Sequence, residues 1–284
     1  MRLRKALIGL LAARVCCASP TPNDSISEHH AAMFYSNWDF SEDPTVKLEL
    51  ARMDKDVQLV DPRPYQDSGW FAEANCLGGR DVEFMTRLRV LPGFKAKAVP
   101  VKQHSLWART NPGTTDATRE ITTTEVKIEK DTSGWEVGSK ITGGKTDKAT
   151  VEVSAKYSQE WSKEQSYTIQ TKDTLICEAG YACDFTPVTY KLQISGDCDK
   201  IPITTWGWPN QRYGYMDACV SPDRSCLQKI HYTKANCPYK RTQCSFEVPV
   251  FDGDKPRVTV LKLWRKADGS DDKVRSGLVD AHVL

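Results

Sequence analysis

The stretch ATVEVSAKYSQEW, residues 149–161, alternates apolar and polar side chains for longer than an ordinary short strand needs. Val151, Val153, Ala155, Tyr157 and Trp161 fall on one side of an extended chain, and Glu152, Ser154, Lys156, Ser158 and Glu160 on the other. Just upstream, Trp135, Val137, Ser139 and Ile141 share one side, with Glu136, Gly138, Lys140 and Thr142 opposite. Between the arms, GGKTDK (143–148) supplies the glycines and polar residues that a reversal requires, so the two arms read as one β-hairpin. Odd-numbered residues of both arms share a face in any register whose paired numbers sum to an even value. Such a ribbon either covers a core with its oily face or lies between lipid and water. A membrane-crossing strand takes about 9–11 alternating residues with aromatics near the interfaces. The second arm has that length, the first is marginal, and Trp135 and Trp161 both lie at the end away from the tip.

Outward from the hairpin the same texture continues. Ser and Thr crowd the section from Thr114 to Thr174, where neither Cys nor Pro occurs. β-Branched Thr suits a pleated surface. TTTEVKIEK, WEVGSKI and SYTIQT repeat the alternation, and TPVTYKLQIS (186–195) sets Val188, Tyr190, Leu192 and Ile194 on one face. Region 111–195 therefore reads as four or five long antiparallel strands. Region 20–110 is mixed: DPTVKLELARM (43–53) reads as a strand entering a turn, and DVEFMTRLRVL (81–91) as a strand. Region 196–250, rich in Cys and aromatics, reads as a small stapled unit. Region 251–284 holds one apolar strand, RVTVLKLW (257–264), and a polar tail.

Residues 1–19 have the form of a secretory signal peptide, with Arg2, Arg4 and Lys5 before the apolar run Ala6 to Ala13 and small residues at Ala18 and Ser19. The expected location is secreted. Cys76, Cys177, Cys183, Cys198, Cys219, Cys226, Cys237 and Cys244 then form an even set, as four disulfides would require, with connectivity open. No zinc-type C-x2-C pair occurs. Asn23 opens an N-glycosylation sequon, Asn23-Asp24-Ser25. Removing the leader's four basic residues from the 39 in the chain leaves fewer than the 37 acidic ones, so nucleic acid is not an expected partner. No apolar run is long enough for a transmembrane helix.

Trp206, Trp208, Tyr213 and Tyr215 cluster in the stapled region. Exposed, they would stack on sugars or sit in a lipid interface; buried, they would fill a small core. The histidines have no metal spacing, FDGDKP (251–256) reads as a turn rather than a calcium loop, and no nucleophile, zinc-protease or phosphate-loop motif occurs. No metal, cofactor or enzymatic activity is expected.

The order of features from Thr114 to Ser195 resembles the aerolysin-like β-pore-forming proteins, in the branch of epsilon-toxin and mosquitocidal toxin. TTDATREITTTEVKIE leads into the amphipathic hairpin, followed by KYS, the polar stretch KEQSYTIQTKDT and the alternating VTYKLQIS. The resemblance implies a mostly β, elongated antiparallel molecule with long twisted strands, secreted as a monomer, to which the sequence adds a disulfide-rich subregion. It also implies a receptor-binding region, homo-oligomer assembly on a target-cell membrane through a surface glycan or protein receptor, and insertion of the Trp135–Trp161 hairpin. Arg265-Lys266, before the polar tail, is the candidate activation cut. CEAGYAC (177–183) departs from the family and is expected to staple the turn before VTYKLQIS. The alternative is a secreted, disulfide-stapled β-rich binder of carbohydrate or host protein, without pore activity.

Overall fold

The computed structural model describes residues 38–76, 80–120, 123–129, 135–142, 149–155, 164–172, 174–208, 211–220, 227–270 and 273–284. The leader, Asn23, the reversal at 143–148, Tyr157, Trp161 and Cys226 lie outside them. For Cys76, Trp206, Trp208 and Tyr213 the backbone alone is described.

In chain order the elements are α1 (Pro44–Asp54), β1 (Val57–Leu59), β2 (Tyr65–Cys76), β3 (Arg80–Val90), β4 (Lys95–Lys102) and β5 (Trp107–Asn111). Next come β6 (Ala117–Arg119), β7 (Thr123–Glu129), β8 (Trp135–Glu136), β9 (Gly138–Thr142), β10 (Thr150–Ser154), β11 (Glu164–Thr171) and β12 (Leu175–Cys177). The chain closes with β13 (Tyr181–Trp208), β14 (Gln211–Asp217), α2 (Leu227–Asn236), β15 (Lys240–Asp252), β16 (Lys255–Pro256), β17 (Val258–Lys266), β18 (Arg275–Val279) and β19 (Ala281–Val283).

The fold is mostly β, and β13 is its spine. At about 3.3 Å per residue its 28 residues would span up to about 90 Å if straight. Three antiparallel partners follow one another along each edge: β5, β4 and β3 on one, β17, β15 and β14 on the other. Proline cannot donate to a ladder and is rare in central strands. Pro187 is accommodated because it sits in the seam between β5, which ends its pairing at Phe185, and β4, which begins at Val188. Gly196 occupies the next seam, where a Cβ would stand 3.0 Å from the Phe94 Cα.

From Ala182 to Tyr190 every side chain of the spine is buried, so both faces are covered. From Lys191 to Ser195 the alternation is one-sided, with Leu192 and Ile194 inward and Gln193 and Ser195 outward, and from Ile201 to Thr205 every side chain is buried again. The larger core gathers Val188, Tyr190, Leu192 and Ile194 with Val248 and Val250 of β15, Val46 and Met53 of α1, and residues of β9 and β10. A second core, around Trp107, Ile169, Leu175, Phe185 and Val260, lies under a separate sheet ordered β19–β11–β7.

Two sequence expectations change. DPTVKLELARM is a helix: the Asp43 carboxylate accepts from Thr45 N (2.8 Å) and Val46 N (3.1 Å), Pro44 starts the helix, and Val46, Glu49 and Met53 face inward at helical spacing. The stapled region contains a helix, α2, where turns and aromatics were expected. The polar tail is structured: β18 pairs with β17, β19 pairs with β11, and Val279, Ala281 and Val283 pack on the second core. Beside the antiparallel ladders run two short parallel ones, β1/β10 and β9/β15. The compositional border at 195/196 falls inside β13.

Candidate functional site

The hairpin is β9 and β10, joined by five antiparallel pairs from Thr142↔Thr150 to Gly138↔Ser154. Paired numbers sum to 292, so Ile141, Val151 and Val153 share a face, as the even-sum argument requires. That face is turned inward: Val137, Val151 and Val153 are fully buried, and Ala155 is buried beside them. Ser139 shares the apolar face because its Oγ donates to Pro249 O at 2.5 Å, which satisfies the buried hydroxyl. The outward face pairs Lys140 with Glu152, and Asp56 accepts from Thr150 Oγ1 at 2.7 Å.

The first arm is not one strand. Glu136 and Trp135 pair with Tyr65 and Gln66 of β2, and the backbone joins the hairpin ladder only at Gly138. Trp135 is 4% exposed and stacks on Phe246 with ring centroids 4.5 Å apart. Three-residue parallel ladders hold the hairpin on both outer edges, to β1 and to β15, with Val60 N donating to Val153 O and Ala155 N to Pro62 O.

The hairpin lies in the spine's sheet, in the order β1–β10–β9–β15–β13, but its two connections run to a different sheet. β7 and β11 form a ladder from Thr123↔Gln170 to Glu129↔Glu164, and the whole segment from 130 to 163 leaves and returns at that final pair.

A second constellation lies on one face of β2, β3, β13 and β14. Their registers pair Tyr65 with Arg89, Asp67 with Arg87, Arg89 with Asp199 and Ile203 with Asp217, so odd-numbered residues of all four strands project together. They line an open cavity of about 700 Å³ with Asp61, Pro62, Arg63 and Ala155 at its border. Arg87 makes two hydrogen bonds to Asp67 (2.7 and 2.8 Å) and lies over the rings of Tyr65 (3.9 Å) and Tyr215 (4.8 Å). Burial opposes its charge, but the Asp67 carboxylate more than offsets this and raises its pKa. Tyr215 remains 53% exposed. Of the four aromatics singled out by sequence, Tyr215 alone has a described side chain. Tyr65, Arg63, Arg87 and Arg89 escaped sequence reading; the Arg-x-Arg spacing of Arg87 and Arg89 on a strand was the available signal.

Three disulfides form among the described residues: Cys177–Cys183, Cys198–Cys244 and Cys219–Cys237. The first spans the turn at Gly180, whose φ of 81° suits glycine, and delivers β12 into β13 as CEAGYAC predicts. Cys198–Cys244 ties the spine to β15, and Cys219–Cys237 closes the β14–α2 segment. Among the described residues no cluster of metal-ligating side chains occurs, and no helix is long and apolar enough to cross a membrane. Arg265 and Lys266 lie at the end of β17, paired with Ala182 and Tyr181 of the spine rather than in an open loop.

No family model matches the chain, and no curated protein does. Among solved structures the chain is similar to the Cry23Aa1 and Cry37Aa1 binary protein complex, at 8% identity and TM-score 0.25, covering 70% of this chain and 90% of that one. It is also similar to the Mpp75Aa1.1 β-pore-forming protein of Brevibacillus laterosporus, at 8% identity and TM-score 0.25, covering 79% of this chain and 78% of that one.

Proposed function

We propose that this is a secreted, disulfide-stapled β protein that assembles into oligomers on a target-cell membrane and inserts the β9–β10 hairpin. One observation carries the reading: residues 130–163 leave and rejoin the β7/β11 ladder at a single pair, Glu129↔Glu164. A segment so connected can swing away without unthreading the spine. Its alternation gives an inserted ribbon one apolar and one polar face, and ring closure between neighbouring chains would satisfy its edge hydrogen bonds. The β7/β11 pairs sum to 293 and the hairpin pairs to 292, so merging both ladders into one ribbon needs one extra residue in the second arm, a single bulge.

Burial of the apolar face fits a soluble form. Releasing Trp135, Val137, Ile141, Val151 and Val153 into water would cost on the order of 10 kcal/mol, which lipid contact would return. The tip residues Lys145, Asp147 and Lys148 would each meet a barrier of about 2–3 kcal/mol at the bilayer centre.

The test is a tether. Gln58 and Glu152 are register partners across β1/β10, so the double variant Gln58→Cys with Glu152→Cys staples the hairpin to the body. The oxidised variant is expected to release no dye from receptor-bearing cells or their membrane vesicles, with lysis and SDS-resistant oligomers restored on reduction. Wild type given the same reductant controls for the native disulfides. Equal lysis by the oxidised variant rules out insertion of this hairpin.

A second reading, a secreted binding protein whose ribbon never moves, is favoured by the place of Trp135 and three valines in the largest core. Ligand binding without lysis, indifferent to the staple, would select it.

A further inference from the structure

The cavity between Tyr65, Arg87, Arg89 and Tyr215 meets the hairpin segment only at Ala155, and its charged and aromatic groups, all from outside that segment, are prearranged. We propose that it binds an acidic saccharide: a pyranose stacked on Tyr215 whose carboxylate or sulfate is held by Arg89 and Arg63.

Tyr215 presents a half-exposed ring, and the Arg87 guanidinium lies over that ring. Arg87 is itself fixed by two hydrogen bonds to Asp67 and by the Tyr65 ring, so the aromatic platform is held before any ligand arrives. A flat, electron-rich ring beside polar groups of both signs matches the C–H face and hydroxyl edge of a sugar.

The charge of the sugar follows from the other two arginines. Arg89, with a side chain 43% exposed, reaches Asp199 only at 3.8 Å. Arg63 meets the highly exposed Asp61 only at 3.6 Å. Both guanidinium groups therefore keep donors suited to an oxyanion. A bare inorganic anion would leave the apolar lining of Pro62, Ala155, Ile201 and Ile203 unused, in a cavity of about 700 Å³. A neutral sugar would leave the arginine donors unanswered. Asp217, whose oxygens accept from Cys219 N and from the Tyr239 hydroxyl, stands at the border with further lone pairs for sugar hydroxyls.

This inference does not depend on membrane insertion, because binding is read on the full secreted chain with its hairpin in place. The experiment titrates sialyllactose, a sulfated galactoside, lactose and inorganic sulfate by calorimetry or ligand-observed NMR. One of the two acidic sugars is expected to bind at least tenfold tighter than lactose. Tyr215→Ala and Arg89→Gln should each weaken it at least tenfold with Tm unchanged, whereas Tyr215→Phe keeps the affinity. Lactose binding equally well overturns the acidic class, and sulfate binding equally well reduces the site to a bare-anion pocket. Absence of binding, or binding untouched by both weakening variants, overturns the site itself.

Discussion

At Asp184, on β13, a fully buried carboxylate accepts from Thr186 Oγ1 at 2.7 Å, while its other oxygen has no hydrogen bond and lies 3.9 Å from Lys102 Nζ. Burial raises its pKa against the opposing pull of nearby hydroxyls and of Lys102. A carboxyl with a raised folded-state pKa binds its proton more tightly when folded, so its contribution to stability falls as pH climbs from the unfolded value to the folded one. Asp184→Asn is therefore expected to raise Tm at neutral pH, by roughly 2–4 °C per kcal/mol gained, with the gain vanishing below about pH 4. Thermal melts of both proteins across pH 3–8 check this. Gly196 makes the opposite case. The Phe94 backbone blocks any side chain there, so Gly196→Ala should lower stability by about 1–3 kcal/mol in chemical denaturation.

Among elements, period-two patterns proved readable where the ladder was long. DVEFMTRLRVL, RVTVLKLW and VTYKLQIS lie in β3, β17 and β13, and the parity of the hairpin faces follows from numbering alone. Helix α1 misleads because Thr45-Val46-Lys47-Leu48-Glu49-Leu50 alternates like a strand; the deciding signal was Asp43-Pro44, a cap and a helix-starting proline. Asp43→Ala should cost about 1 kcal/mol, read as a lower denaturation midpoint with unchanged slope. Strand choice was not legible. Nothing local says that Arg87 pairs with Asp67 or that Tyr215 reaches the same cavity, because those meetings depend on registers across four strands distant in sequence. The tail reads as merely polar by composition. Its strands are short, yet β19 pairs with β11, Leu284 N donates to Thr168 O, and Lys255 Nζ bonds Val283 O.

For the molecule as a whole, stability should be uneven in a way that follows from the ladders. The spine from Ala182 to Ile194 is paired on both edges through most of its length, whereas β9 and β10 are held to the body by three-residue ladders. Native-state hydrogen exchange should find β13 amides opening only with global unfolding, and β10 amides opening at markedly lower free energy. Equal protection of both would mean that the ribbon does not separate before the body unfolds. The spine has a further consequence. Both hydrophobic centres take side chains from the same strand, Phe185 for one and Val188 for the other, only three positions apart. Neither half of the chain expressed alone would have a complete set of neighbours, so calorimetry of the intact protein should record one endotherm, and bisected fragments should regain native spectra only when mixed.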